Sequence, residues 1–230
     1  MTSINLGYEL LNYIVNKDLQ EGDRLPSIND LQSPDHLGIN TSKVREQLEV
    51  ARALGIVDVR PKVGTHIKAY SFAQAIQLSL LFSLAQNIQL FDLYNELRVH
   101  IEVSFWDEAC QTLSEPDKER MRQSIASARA KLKGSYIEIP NKEHETFHMT
   151  MFEKLDNPFV TGILEAYWEA YRTVETKRYV DYGYMQKVWD YHERILDLIC
   201  KGDYNEAKIA YIEHTKLLRY HPEQIDSNHS

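Results

Sequence analysis

Four histidines carry the most reactive chemistry in this chain. His144 and His148 are four residues apart on a stretch of helical pattern, so they share one face a turn apart. His192 and His214 flank a turn at Gly202-Asp203, and an antiparallel hairpin closed there brings them to the same height. Two convergent imidazole pairs would hold one divalent transition ion inside a bundle, with Zn, Ni, Fe or Co favoured over Ca or Mg. Glu145, Glu193 and Glu213 lie next to three of these histidines and would supply carboxylates behind the ligands. The competing reading is four unrelated surface or satisfied core histidines. Arg98 is the other chemical candidate. An arginine on an inner helix face is costly unless paired, so it either pairs with Glu102 one turn on or clamps the carboxylate of a ligand. Metal plus arginine describes a pocket for a small organic acid, with Asn157, Tyr167, Trp168, Tyr171 and Trp189 as candidate lining.

The elements that would position these groups are helical. From Ser71 on, the apolar spacing predicts helices over about 71–86, 89–112, 115–133, 141–155, 158–181, 184–201 and 204–220, an all-α bundle of six to seven helices. Ser114 with Asp117, Asn157 before Pro158, and Asp203 with Glu206 mark helix starts. The tail, 221–230, is polar and expected to be mobile.

The first 70 residues read differently. A helix over 4–17 would bury Leu6, Leu10, Leu11, Ile14 and Val15. A short helix follows Ser27, whose capping box would be closed by Asp30. A third helix starts at Asn40 or Thr41, buries Val44, Leu48 and Ala51, and stops at Gly55, where a residue without Cβ enters the left-handed cap cheaply. Ile56 to Val59 and Thr65 to Ile67 are β-formers around a turn at Pro61 to Gly64. Three helices and a hairpin make a winged helix-turn-helix, whose third helix suits a DNA major groove and whose wing places Lys62 and the Gly64 backbone beside a phosphate. The predicted fold is mainly α, with a junction at Ala69-Tyr70-Ser71 between 1–70 and 71–220.

Charge agrees with that division. The chain of 230 residues has a net charge of −8, which argues against indiscriminate nucleic-acid binding. Lys and Arg number 8 against 9 acids in 1–70 and 18 against 25 in 71–230, but 6 against 3 in 40–68, the window holding the third helix and the wing. Two cysteines far apart, no signal peptide and no membrane-length apolar run predict a reduced, cytoplasmic protein without a membrane partner.

Glu21-Gly22-Asp23-Arg24-Leu25-Pro26-Ser27, Leu37-Gly38-Ile39-Asn40, Val44-Arg45-Glu46-Gln47-Leu48, Leu54-Gly55-Ile56-Val57 and Gly64-Thr65, in that order, resemble the GntR family of bacterial transcription regulators over 4–70. The resemblance makes Asn29, Asn40, Thr41, Ser42, Lys43, Arg45, Lys62, Gly64 and Thr65 the candidate DNA contacts. Asn29 and Thr41 stand where that family usually has arginines, which leaves Arg45 as the main contact and implies a shallower salt dependence. Leu93 to Arg98 with Glu102, Phe147-His148, Asp156-Asn157-Pro158 and His192-Glu193 … His214 resemble the FCD effector domain of the FadR-like subfamily, over about 90–216. That domain's metal site has three histidines and an aspartate. Here His144 holds the aspartate's position, so four neutral ligands, His144, His148, His192 and His214, favour Zn or Ni over a harder ion. Arg98, Glu102 and Asn157 are the candidate effector contacts.

These readings converge on a ligand-responsive transcription regulator, expected to repress. It would bind a palindromic operator in double-stranded DNA as a homodimer and answer to a small carboxylate metabolite bound near a metal. The alternatives are a metal-dependent enzyme of the helical half, or an effector-binding protein with a degenerate DNA module.

Overall fold

The computed structural model describes residues 4–60, 62–134, 138–175 and 182–217; the predicted mobile tail and Pro61 lie outside them. The chain divides into two compact units, Met1–Ser79 and Leu80–Ser230.

The first unit holds α1 (Glu9–Asn16), α2 (Ile28–Leu31), α3 (Thr41–Ala53), β1 (Val57–Arg60), β2 (Gly64–Ile67) and the start of α4 (Phe72–Gln86). Leu10, Leu11, Ile14, Leu25, Leu31, Val44, Leu48, Ala51, Val57 and Ile67 form its core. Leu6 and Val15, expected inside, are 42% and 64% exposed. Gly7 turns the chain with φ +75° ahead of α1, and Val15 sits one residue off the inward stripe. The Ser27–Asp30 capping box forms, with Ser27 N donating to Asp30 Oδ2 at 3.3 Å and Asp30 N to Ser27 Oγ at 3.2 Å. Gly55 ends α3 with φ +76°. β1 and β2 pair antiparallel, Val57 opposite Ile67 and Arg60 opposite Gly64. The sequence puts the domain junction at 69–71, whereas the compact units part inside α4. The first turn of α4 packs back on the first unit, where Gln74 accepts from Lys68 Nζ at 2.6 Å and its side chain covers Gly55.

The second unit comprises the remainder of α4, α5 (Leu90–Ser104), α6 (Trp106–Thr112), α7 (Glu115–Lys133), α8 (Asn141–Phe152), α9 (Pro158–Glu175), α10 (Tyr182–Lys201) and α11 (Tyr204–Thr215). The helix predicted over 89–112 is two helices, broken at Phe105. The break turns Trp106 inward, fully buried, with its Nε1 donating to Tyr204 O at 3.0 Å and its ring 5.0 Å from that of Tyr211. Burying an indole with its N–H satisfied outweighs the few local hydrogen bonds that a continuous helix would keep. Gly202 at φ +82° closes the α10–α11 hairpin. Ser114 N bonds Asp117 Oδ2 at 2.8 Å as expected, but Asp203 makes no side-chain cap at α11.

Candidate metal centre and DNA-binding unit

Three helices bring the four histidines together. His144 and His148 project from the inner face of α8, His192 from α10 and His214 from α11, all of them buried. The α10–α11 hairpin sets the His192 and His214 rings 4.4 Å apart, and His144 lies 4.9 Å from both His148 and His192. One ring nitrogen from each falls within 4.8 Å of the other three. Nitrogens about 2.0–2.1 Å from a tetrahedral ion lie about 3.4 Å from one another, so small side-chain shifts suffice.

Hydrogen bonding fixes what these rings present. His192 Nδ1 is 2.7 Å from Val188 O, a carbonyl that only accepts. That assigns the proton to Nδ1 and leaves a lone pair on Nε2. His148 Nδ1 faces Glu102 Oε1 at 3.5 Å, which orients its ring the same way. With the His148 proton likewise on the Nδ1 that faces the carboxylate, the two Nε2 atoms, 3.2 Å apart, meet as two acceptors. Among the described residues neither His214 nitrogen has a hydrogen-bond partner, nor does His144 Nε2. Buried lone pairs aimed at one another without a donor are unfavourable until a cation lies between them. The donor set therefore fits a divalent ion.

Burial, the largest influence, pushes the pKa values of His144, His192 and His214 well below the ordinary imidazole value, and the neighbouring rings push the same way. His148 is also lowered by burial, against an opposing pull from Glu102. Neutral imidazole is the form that binds metal.

Behind the rings lies a charged layer on α5. Arg98 and Glu102 are both fully buried, with Arg98 Nη1 3.5 Å from Glu102 Oε2. Burial raises the Glu102 pKa, but Arg98, His148 and Tyr211 together outweigh it and hold the group below the usual carboxylate range. Burial likewise opposes the Arg98 cation and is outweighed by Glu102 and nearby tyrosines. The guanidinium lies 4.6 Å from the Tyr167 ring centroid and 5.7 Å from that of Trp168. None of its three nitrogens makes a hydrogen bond to a described residue. An ion pair and guanidinium donors still open to an anion thus coexist at Arg98, the two roles its position in the sequence leaves open.

Asn157, also an expected effector contact, starts α9 as its place before Pro158 predicts. Its Oδ1 accepts from Phe159 N and Val160 N, each at 3.2 Å, and is committed to capping α9. Glu145, Glu193 and Glu213 face outward to Arg172, Arg129 and Arg194, because neighbouring residues on a helix point about 100° apart. The carboxylate behind the rings is Glu102, held by the Tyr211 hydroxyl. Tyr211 was missed in the sequence, although its place three residues before His214 puts it on the same face of α11.

In the first unit, Asn40 caps α3 by accepting from Lys43 N at 2.9 Å, and Thr41 Oγ1 donates to Gln32 Oε1 at 2.7 Å. Ser42 and Arg45 are exposed on α3, and Lys43 Nζ is 3.2 Å from Glu9. Asn29 is exposed at the start of α2, its Oδ1 3.4 Å from Gln32 Nε2. Lys62 stands at the wing tip with φ +64°, Gly64 follows at φ +115°, and Thr65 sits opposite Val59 in the hairpin.

Residues 92–217 match the FCD domain model, more than half of the chain. The chain belongs to the FCD-domain family. With a winged helix ahead of the FCD domain, it is a GntR-family, DNA-binding transcription regulator of the FadR-like type, not an enzyme. It is similar to the HTH-type transcriptional regulator LutR of Bacillus subtilis (strain 168), 25% identical over 214 residues that cover 87% of this chain and 92% of that protein. It is also similar to the HTH-type transcriptional regulator YieP of Escherichia coli (strain K12), 25% identical over 218 residues, 88% of this chain and 89% of that protein. Among solved structures, Streptococcus agalactiae GntR shares the fold, with a TM-score of 0.66 at 17% identity over 90% of this chain and 94% of that one. Among the described residues no helix is long and apolar enough to cross a membrane.

Proposed function

We propose that this FCD protein is a cytoplasmic, one-component regulator whose DNA-binding module lies in 1–70 and whose metal-dependent effector and dimerisation module lies in 71–220. A homodimer would place two copies of α3 on the half-sites of a palindromic operator, since two-fold protein symmetry calls for two-fold symmetry in the site. His144, His148, His192 and His214 would hold a divalent ion, Zn or Ni on the chemistry of an all-imidazole set. That ion would act as a Lewis acid towards an oxygen of a small organic acid. Arg98 would bind the ligand's carboxylate, and Glu102 would fix His148 with its Nε2 turned inward. Ligand binding would release repression by favouring one arrangement of the bundle over another, which requires different affinities for the two.

The observation that carries this reading is the pair of Nε2 atoms facing each other at 3.2 Å beside a buried guanidinium with no hydrogen-bond partner among the described residues. Elemental analysis of the purified protein, then a thermal-shift screen of hydroxy, keto, sugar and amino acids with and without Zn or Ni, tests it. Metal at one equivalent per chain and an acid that stabilises the loaded form by about 2.7 kcal/mol at 100 times its Kd are expected. Absence of metal together with no metal-induced shift removes the site.

A further inference from the structure

The helix expected to read DNA carries little free positive charge. On α3, Lys43 is paired with Glu9 at 3.2 Å and Arg52 with Glu49 at 2.6 Å, which leaves Arg45 as the one cation of that helix without an ion pair among the described residues. The wing is built differently. Leu25 N donates to Thr65 O at 2.8 Å, Gly22 N to Ile67 O at 2.9 Å and Ile67 N to Asp23 O at 2.9 Å. Arg24 also forms an antiparallel bridge with His66. The segment 22–25 therefore lies along β2 as a short third edge. Side chains alternate across such an edge, so Leu25 turns into the core, 3% exposed, and Arg24 turns to the outer face.

On that outer face the chain leaves a bare patch. Gly64 and His66 point the same way from β2, and a Cβ on Gly64 would lie 2.7 Å from Arg24 Nε and 3.2 Å from its Cζ. The guanidinium rests on the glycine's uncovered Cα. Arg60 is the cross-strand partner of Gly64, and Lys62 is two residues away at the exposed tip. Asp58 in the same hairpin is bonded to Arg60 at 2.7 Å. Arg24 makes no ion pair or side-chain hydrogen bond with any described residue, so it gives up no protein partner on meeting an anion.

We propose that Arg24, seated on Gly64 and flanked by Lys62, is a phosphate-contacting residue of the DNA interface, and that the wing supplies much of the sequence-independent attraction. The proposal rests on the chain's DNA-binding role. A guanidinium fork matches two phosphate oxygens, and a phosphate contact holds the protein on the duplex without reading its sequence.

The test is fluorescence anisotropy with the full chain and two labelled duplexes, one from the region upstream of its own coding sequence and one scrambled. Titrations run from about 50 to about 200 mM KCl, where the salt slope counts phosphate contacts. Arg24→Gln is expected to lower the slope by about 0.9 for each protomer bound and to weaken both duplexes by the same factor. Arg24→Lys keeps the charge and is expected to keep the slope. An unchanged slope for Arg24→Gln, or an equal loss for Arg24→Lys, overturns the proposal. Gly64→Ala puts a methyl where the guanidinium sits, and is expected to lower the slope in the parent protein but no further in Arg24→Gln; an additive loss counts against the seat. If Gly64→Ala fails to fold, the two Arg24 variants decide. Wild-type protein that binds neither duplex removes the DNA-binding role itself, whereas wild-type binding with an unmoved Arg24→Gln slope removes this proposal alone.

Discussion

Stripped of metal, the helical unit should be acid-labile through its histidines. His144, His192 and His214 are at most 3% exposed and have pKa values well below the 6.5 of a free imidazole. Their folded values are depressed, so the unfolded chain takes up protons that the folded chain refuses. Stability is then present above the unfolded value and is lost as pH falls through it. Between about pH 7.5 and about pH 5.5 each such group shifts the folding equilibrium about tenfold, or about 1.4 kcal/mol, so the three together remove about 4 kcal/mol. His148, whose lowering is opposed by Glu102, is left out of that sum. Unfolded carboxylates titrate near pH 4, below the window. A loss of this size lowers the Tm by about 8–16 °C for a protein of this length. The three tryptophans, Trp106, Trp168 and Trp189, are all buried in the second unit, so their fluorescence follows that unit alone. Urea and thermal melts in EDTA at the two pH values give the number, and added Zn should steepen the fall because protons compete with the ion for the same nitrogens. Melting points that stay level or rise towards pH 5.5 in EDTA would refute the buried, neutral four-imidazole cluster.

Three further outcomes are expected. Arg98→Leu leaves the fully buried Glu102 carboxylate without its cation, which should cost about 3–5 kcal/mol in urea denaturation; a cost under about 1 kcal/mol would mean that water, Tyr211 and His148 suffice to hold the charge. Gly55→Ala puts a Cβ 2.6 Å from Gln74 Oε1 and forces a non-glycine residue to φ +76°, so a destabilisation of at least about 1–2 kcal/mol is expected by circular dichroism. Arg45→Ala, on the exposed face of α3, should weaken operator binding and reduce the salt slope by about 1 per protomer; unchanged binding would show that α3 does not touch DNA.

Much of the positioning was legible because it depends on short-range periodicity. The i, i+4 spacing of His144 and His148 puts them on one face wherever that helix packs. The Gly202 turn sets His192 against His214 because a tight antiparallel hairpin leaves little freedom of register. Ser27, Asn40, Gly55 and Asn157 announced helix ends, since caps are satisfied by groups two or three residues away. At Asn157 the cap takes the side-chain oxygen and leaves the Nδ2 donors as the part that could meet a ligand.

What remained illegible depends on long-range packing. Nothing in the stretch 89–112 announces a break at Phe105; it appears when Trp106 finds Tyr204 and Tyr211, about a hundred residues away along the chain. Glu145, Glu193 and Glu213 were attractive because they neighbour histidines in sequence, but adjacent helical residues diverge and the buried carboxylate came from α5. The sequence by itself determined a winged helix followed by a helical bundle with four convergent imidazoles, because caps, turns and periodicity act within a few residues. Only the tertiary structure decided that Glu102 orients His148, that Tyr211 holds Glu102 and that Arg24 rests on Gly64. Those contacts join elements distant in the chain, and burial and shape, rather than spacing, select the partner.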